Sequence, residues 1–306
     1  MTRHIAVLMG GWSAEREVSL VSGQAVARAL EERGFRVTTI DVQRDLGALL
    51  AALTPRPDVV FNALHGRGGE DGTIQAVLDI LGVPYTHSGM LASAVAMDKA
   101  MTKRVLATVG VPSPDGRLAT RRDVLNGDVI APPFVIKPVN EGSSVGVHIV
   151  RPGDNTRPLD DETWTFGEQV LVEQYIPGRD LTVAVMGDRA LTVTEIRPHQ
   201  GFYDYTAKYT DGKATHLLPA PGPAEVLDEA MRLSVLAHQT LGCAGVSRSD
   251  FRYDDDRPGI AGLYFLEINT QPGMTPLSLV PEQAAHLGIS FADLVVWMVE
   301  NAACQG

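Results

Sequence analysis

The sequence predicts an α/β unit in its first third, followed by further units of mixed, partly antiparallel structure. Strand-like and helix-like stretches alternate through residues 4–64, the pattern of a parallel doubly wound sheet. At 306 residues the chain exceeds one small core, so two or three packed units are expected. Further on, two apolar runs flank Gly187-Asp188, a hairpin turn pair that signals antiparallel pairing.

Composition narrows the class of function. Hydrophobic content of 44% and charged content of 21% are those of a soluble globular protein. A net charge of −11 argues against a non-specific nucleic-acid binder. It leaves room for an anionic substrate, because a metal ion or a local Lys/Arg cluster reverses the field at one site. Two cysteines, Cys243 and Cys304, cannot build a disulfide framework, which fits a reducing cytoplasm. The chain opens directly on a strand without the order of a signal peptide, and no apolar run is long enough to span a bilayer. A cytoplasmic protein without a membrane partner is the expectation.

Ile5-Ala-Val-Leu-Met reads as a buried parallel strand, apolar on both faces. Gly10-Gly-Trp-Ser-Ala-Glu15 leads into a helix with Val18, Val21, Ala25 and Leu30 at helical spacing, stopped by Gly34. Residues 35–40 form the next strand and residues 57–64 the third, with a short helix between. Ligands gather at the carboxyl ends of such strands, where two loops lie: residues 10–15 and 65–72. The Gly10-Gly pair lacks the third glycine of a dinucleotide fingerprint and reads equally as a tight turn. Glu15 is favoured at a helix start by the macrodipole alone, and His65 reads equally as an ordinary loop histidine. Gly66, Gly68, Gly69 and Gly72, interleaved with Arg67, Glu70 and Asp71, are more than a plain connection needs. Asp71 also suits the N-cap of a helix starting near Thr73.

Residues 81–85 close the first unit. A single helix is predicted over 92–109, with Asp98-Lys99 in its first half, before a breaker cluster at 111–116. Residues 132–138 read as a strand carrying Lys137, followed by Glu141-Gly-Ser143-Ser144-Val-Gly146. An ammonium beside backbone N–H groups and hydroxyls can grip phosphate; an edge-strand lysine guarding against aggregation is the alternative. Residues 170–180 give a strand, a bend and an acid: extended backbone to meet a purine edge, a carboxylate to take ribose hydroxyls. Residues 201–212 carry aromatics and hydroxyls without a sustained period. They fit a packed surface loop or a lid bringing Lys208 and Tyr209 inward. Helical patterning returns at 224–241, 278–287 and 291–303, with Ser278 placed to cap its helix.

The densest chemistry lies in Tyr264-Phe-Leu-Glu267-Ile-Asn269-Thr-Gln-Pro-Gly273-Met and in Arg248-Ser-Asp250 upstream. Period-two alternation places Phe265, Glu267 and Asn269 on one face. Asp250, Glu267 and Asn269 offer hard oxygen ligands with no Cys or His nearby. They suit Mg²⁺ or Mn²⁺ held against phosphate better than zinc. A surface strand with a polar turn is the alternative reading.

The order of these motifs, with Met97-Asp-Lys99 and Tyr203-Asp-Tyr-Thr-Ala-Lys208-Tyr209, resembles the D-alanine–D-alanine ligases of the ATP-grasp superfamily from end to end. The resemblance implies a mixed α/β and α+β chain: an amino-terminal parallel α/β (pre-ATP-grasp) domain over 1–96, then a two-lobed ATP-grasp fold. Its central lobe would cover 97–180, and its carboxyl-terminal lobe 181–306, with lid and metal site. It implies ATP-dependent joining of two D-alanines for peptidoglycan, through a D-alanyl phosphate and a tetrahedral intermediate, in a homodimer. By the same resemblance, Glu15 would hold the first D-alanine's ammonium and His65 would lie near its carboxylate. Lys99, Lys137 and Lys208 would neutralise ATP phosphates under the Ser143–Ser144 hairpin. Glu173, Tyr175 and Ile176 would frame the adenine, and Asp180 the ribose. Asp250, Glu267 and Asn269 would hold two Mg²⁺ or Mn²⁺ ions. Arg248 and the Gly273 N–H would stabilise the oxyanion, and Ser278 and Leu279 would receive the second D-alanine's carboxylate. Tyr209, hydrogen-bonded towards Ser143 and Glu15, would favour D-alanine over D-lactate as second substrate; a ligase forming a D-alanine ester, or using another small amino acid, is the alternative. The chain departs from the family pattern at Ser249, at Gln271, where serine is common, and at Pro276-Leu277 beside Ser278.

Overall fold

The structure is a computed structural model, and it describes residues 2–140, 146–154, 164, 167–199 and 213–305. Ser143, Ser144, Lys208 and Tyr209 lie outside these residues.

The chain opens with a three-stranded parallel sheet in the order β2-β1-β3, built from β1 (His4–Gly10), β2 (Arg36–Val42) and β3 (Val59–Asn62). Ile5 and Val7 enter one core while Ala6 and Leu8 enter another, so β1 is covered on both faces. Helices α1 (Arg16–Glu32), α2 (Leu46–Ala52) and α3 (Thr73–Leu81) surround the sheet. Tyr85 extends it by a parallel bridge to Val60, and Ala303 pairs antiparallel with Tyr85. The far end of the chain thus closes the first sheet, which local pattern does not reveal.

The helix expected over 92–109 is two helices, α4 (Met90–Met97) and α5 (Lys99–Ala107). Asp98 divides them in an extended conformation, φ −88° and ψ 100°, and its carboxylate accepts the Met101 N–H at 2.8 Å. A short aspartate stabilises a helix start better than a helix interior, which is the reason for the break. The Lys99 N–H donates to the Val139 carbonyl at 3.2 Å, which brings α5 to the end of the strand that bears Lys137.

A second sheet, ordered β4-β7-β5-β6, is antiparallel: β4 (Gly116–Thr120), β5 (Phe134–Pro138), β6 (His148–Val150) and β7 (Gln169–Gln174). It carries α6 (Arg121–Asn126) and its own small core around Phe134, Ile136, Val170 and Val172. The third sheet, ordered β10-β9-β8-β11-β12, is also antiparallel: β8 (Arg179–Met186), β9 (Arg189–Pro198), β10 (Ala214–Leu217), β11 (Val246–Tyr253) and β12 (Leu263–Asn269). Helix α7 (Ala224–Thr240) and the apolar side of α5 cover one face of it, burying Leu106, Leu233, Phe251 and Phe265 together. Helices α8 (Leu279–His286) and α9 (Phe291–Glu300) pack against the opposite side, where Val280 and Val295 share one core with Ile5, Phe61 and Ala184.

Strict alternation along β12 does not hold. The register shifts between Asp250↔Glu267 and Phe251↔Phe265, leaving Leu266 as an extra residue. This bulge sends Phe265 into the core while Glu267 and Asn269 stay on the open face, so the three do not share one face as expected.

Candidate active site

A cleft of about 730 Å³ separates the second and third sheets. Val135, Ile149, Ile176 and Leu266 form its apolar walls, and Tyr175, Glu173 and Asp180 lie on the β7–β8 connection that lines it. This is the volume and mixed lining of a nucleotide-sized site. Arg252, across the strand register from Asp180, pairs with its carboxylate at 2.8 Å and donates to the carbonyls of Ile176 at 3.1 Å and Gly178 at 2.8 Å. It holds the connection in shape. No motif in the sequence marks Arg252 for this task.

Glu173 is buried between two lysines, Lys137 at 2.7 Å and Lys103. Burial alone would raise its pKa, but the two ammonium groups outweigh that and hold it down to about 2. Its carboxylate therefore serves the lysines first. Lys103 escaped the sequence reading. The available signal was its spacing, four residues after Lys99 on one helix face. Burial, opposed by Glu173, brings the Lys103 ammonium down to about 8.

Beside Leu266 of the cleft wall, β11 and β12 set Asp250 opposite Glu267 and Arg248 opposite Asn269. Thr182 donates its hydroxyl to Asp250 Oδ1 at 2.7 Å, and the Arg248 guanidinium grips the same carboxylate through Nε at 2.9 Å and Nη2 at 3.0 Å. Lys99 Nζ lies 3.3 Å from Glu267 Oε2. Asn269 Oδ1 accepts the Gln271 N–H at 2.7 Å. Asp250, Glu267 and Asn269 thus stand in one row. Among the described residues no three His, Cys, Asp or Glu side chains cluster as a metal cage. Two carboxylates and an amide oxygen beside a cleft fit a hard divalent cation that takes its other ligands from phosphate and water.

The first sheet and its loops carry Glu15 and His65. Glu15 is buried at the start of α1, and a Cβ added at Gly66 would meet its Oε2 at 2.9 Å. With φ at 68°, Gly66 is required on both counts. His65 is held by Glu70 through Nδ1 at 3.1 Å and by Ser22 through Nε2 at 3.1 Å, and Ser22 Oγ also accepts the Met274 N–H at 3.3 Å. Asp71 accepts the N–H of Thr73 at 3.0 Å and of Gly68 at 2.8 Å and so ties the glycine loop to the helix start, but the N-cap position expected for it is taken by Gly72, whose left-handed backbone turns the chain into the helix.

Ser278 occupies the N-cap position of α8, but its hydroxyl bonds no helix N–H. It accepts the Thr275 N–H at 2.9 Å and lies 2.9 Å from Thr275 Oγ1. A Cβ at Gly273 would meet Ser278 Oγ at 2.8 Å, so the backbone there must remain bare. The Leu279 side chain is buried in the fold, which leaves its backbone as the part able to meet a ligand. Structure thus places Lys137, Glu173, Tyr175, Ile176 and Asp180 on the cleft wall, groups Lys99, Arg248, Asp250, Glu267 and Asn269 beside Leu266 of that wall, sets Glu15 and His65 on the loops of the first sheet, and puts Gly273 and Ser278 on one loop.

Known proteins show the same arrangement of chain. The family described as D-ala D-ala ligase C-terminus matches residues 120–300, and that described as D-ala D-ala ligase N-terminus matches residues 4–52 and 46–88. A D-alanine–D-alanine ligase of Paramagnetospirillum magneticum is 59% identical over the full length of both chains, and one of Granulibacter bethesdensis is 56% identical over 99% of each. Among solved structures, D-alanine–D-alanine ligase of Bacillus anthracis complexed with ATP is 31% identical, with a TM-score of 0.82 over 98% of this chain and 97% of that one. The VanG D-Ala:D-Ser ligase of Enterococcus faecalis is 28% identical, with a TM-score of 0.81 over 98% and 99%. Agreement over whole chains, at these identities, places the chain in the D-alanine–D-alanine ligase family.

Proposed function

We propose that this chain joins two D-alanine molecules to D-alanyl-D-alanine at the expense of ATP, releasing ADP and phosphate. The observation that supports it best is the grouping of Asp250, Glu267 and Asn269, with Lys99 paired to Glu267, next to Leu266 on the wall of a nucleotide-sized cleft that Lys137 also lines. The adenine would lie against Ile176 and Leu266 with its edge towards the 173–176 backbone, and the ribose towards Asp180. The triphosphate would then run towards Lys137 and Lys99.

Phosphoryl transfer needs positioning and charge neutralisation more than covalent help. The first D-alanine would lie with its ammonium on Glu15 and its carboxylate near His65, aimed at the γ-phosphorus. A carboxylate oxygen attacks there, the bond to the bridging oxygen breaks, and ADP leaves from a D-alanyl phosphate. The second D-alanine, its carboxylate at Ser278 and the Leu279 N–H, attacks the acyl carbon through its neutral amine. Arg248 and the Gly273 N–H would face the resulting oxyanion, each worth roughly 3 kcal/mol in such settings. Collapse expels phosphate and leaves the amide, and the amine proton passes to solvent or phosphate. Two Mg²⁺ or Mn²⁺ ions on Asp250, Glu267 and Asn269 would screen the charge of the triphosphate. Arg248 is paired with Asp250 in the structure, so it would leave that carboxylate to meet the oxyanion. Ser143, Ser144, Lys208 and Tyr209 keep the hairpin, phosphate and lid roles that the resemblance assigns them. A homodimer working in the cytoplasm is the assembly proposed with this activity; among the described residues no helix is long and apolar enough to cross a membrane.

The test is Mg²⁺- and ATP-dependent phosphate release with D-alanine, alone and with D-lactate or D-serine added, the products identified by mass. D-alanyl-D-alanine as sole product supports the reading. An ester or a D-alanyl-D-serine product would keep the chemistry and overturn the second-substrate assignment. Glu267→Ala should lower phosphate release by about 10²-fold or more while the circular dichroism stays unchanged, since positioned charge carries this chemistry; wild-type turnover in that variant would remove the metal assignment.

A further inference from the structure

We infer that Gln271 is a positioning residue that couples the metal-ligating end of β12 to the loop carrying His65; the inference rests on the ligase reading above. Gln271 is 1% exposed and its two ends point to different parts of the site. Its backbone N–H donates to Asn269 Oδ1 at 2.7 Å. That bond settles which end of the Asn269 amide is oxygen and leaves the second lone pair for a cation. Its side chain crosses to the first sheet. Oε1 accepts from Asn62 Nδ2 at 2.7 Å, and Nε2 donates to the carbonyl of Leu64, the residue before His65. Asn62 is completely buried at the end of β3 and donates also to the Gly69 carbonyl at 3.1 Å, an acceptor shared with Gln75 Nε2 at 2.7 Å. One residue therefore links Asn269 to Leu64 at the start of the glycine-rich loop and, through Asn62, to Gly69 within it.

The consequence is geometric. The first amino acid is held by Glu15 and His65 on the first sheet, while the γ-phosphate is held by groups on β5, α5, β11 and β12. In-line attack requires the two sets to meet at a fixed separation, and misplacement by about 1 Å costs about 10²-fold in rate. Gln271 spans that seam in a buried setting, where hydrogen bonds are strong and an unmade one is expensive. A serine at this position is too short to reach Asn62 or Leu64.

The experiment compares wild type, Gln271→Ser, Asn62→Ala and the double variant. Three readouts are taken: Mn²⁺ affinity in the presence of ATP without amino acid, from the electron paramagnetic resonance of free Mn²⁺; steady-state kcat and KM for ATP; and Tm. Each single change should weaken Mn²⁺ binding at least about threefold and lower kcat about tenfold, with KM for ATP within about twofold. The double variant should lose less than the product of the two single losses, because both changes cut the same Asn62–Gln271 bond. Wild-type Mn²⁺ affinity and kcat with only a lower Tm would reduce Gln271 to a structural role and overturn the inference. Losses that multiply in the double variant would also overturn it, by showing that the two residues act separately. A wild-type protein that binds Mn²⁺ and ATP yet does not turn over D-alanine would instead sink the ligase reading, and the Mn²⁺ measurement would still decide on Gln271.

Discussion

Glu173 shows how one buried carboxylate governs its cationic neighbours. It holds Lys137 at the cleft and Lys103 behind it. Lys103, with its pKa lowered to about 8, keeps its charge below that pH and sheds it above. Glu173 is then left to Lys137 alone, and the phosphate end of the cleft becomes one charge more negative. KM for ATP should rise as pH passes about 8, and in Lys103→Met that step should vanish from the pH profile. Ser249 presents the opposite case. It is fully buried between Arg248 and Asp250, and its hydroxyl has no hydrogen-bond partner. Removing an unsatisfied buried hydroxyl stabilises or is neutral, so Ser249→Ala should match or exceed the wild type by up to about 1 kcal/mol in urea unfolding. Lys137, Glu267 and Asn269 stood out in the sequence because each ends or interrupts an apolar run. Lys103 did not, because a lysine on a helix surface looks like any solvated one until burial is known.

Two elements position the site by departing from regularity. The break at Asp98 makes Lys99 the first residue of α5 and brings it beside Val139 and Glu267. Asp98→Ala removes the cap and favours one continuous helix. It should cost about 1 kcal/mol of stability and raise KM for ATP by displacing Lys99, measured by thermal unfolding and steady-state kinetics. The bulge at Leu266 turns β12 so that the core Phe265 and the open-face Glu267 and Asn269 coexist on one strand. Neither departure follows from periodicity. An aspartate in a helical pattern and an alternating strand both read as regular until neighbouring elements claim their polar groups.

At the scale of the molecule, the first and third sheets share a core across long separations: α9 packs on the first sheet and Ala303 pairs with its Tyr85, and α5 completes the core of the third. Two buried histidines make this packing sensitive to acid. His87 is buried, adopts a left-handed backbone with φ at 71°, and sets its ring edge-on to Phe61 at 5.8 Å. Burial, with His65 nearby, pushes its pKa to about 3, and burial pushes that of His238 to about 4. Both values lie below that of an unfolded histidine, so the unfolded chain binds more protons in between and stability falls as pH drops from about 6.5 towards 4. Denaturation midpoints should decline across that window by an amount on the order of a few kcal/mol in total, with a shallower slope in His87→Asn, since asparagine tolerates the same backbone. Glu173 extends the loss from about pH 4.5 towards 2, because there the unfolded carboxylate takes up a proton that the lysine-paired one in the fold does not. The alternating strands and helices, the glycine-rich loop after β3, the lysine strand and the Arg248–Asp250 and Glu267–Asn269 motifs were all legible from residue order, because each depends on neighbours in the chain. The pairing of Glu173 with two lysines, the seam bridged by Gln271, the split at Asp98 and the closure of the first sheet by Ala303 were not. They arise between residues far apart in the chain, where burial and hydrogen-bond demand are known only after the sheets have come together.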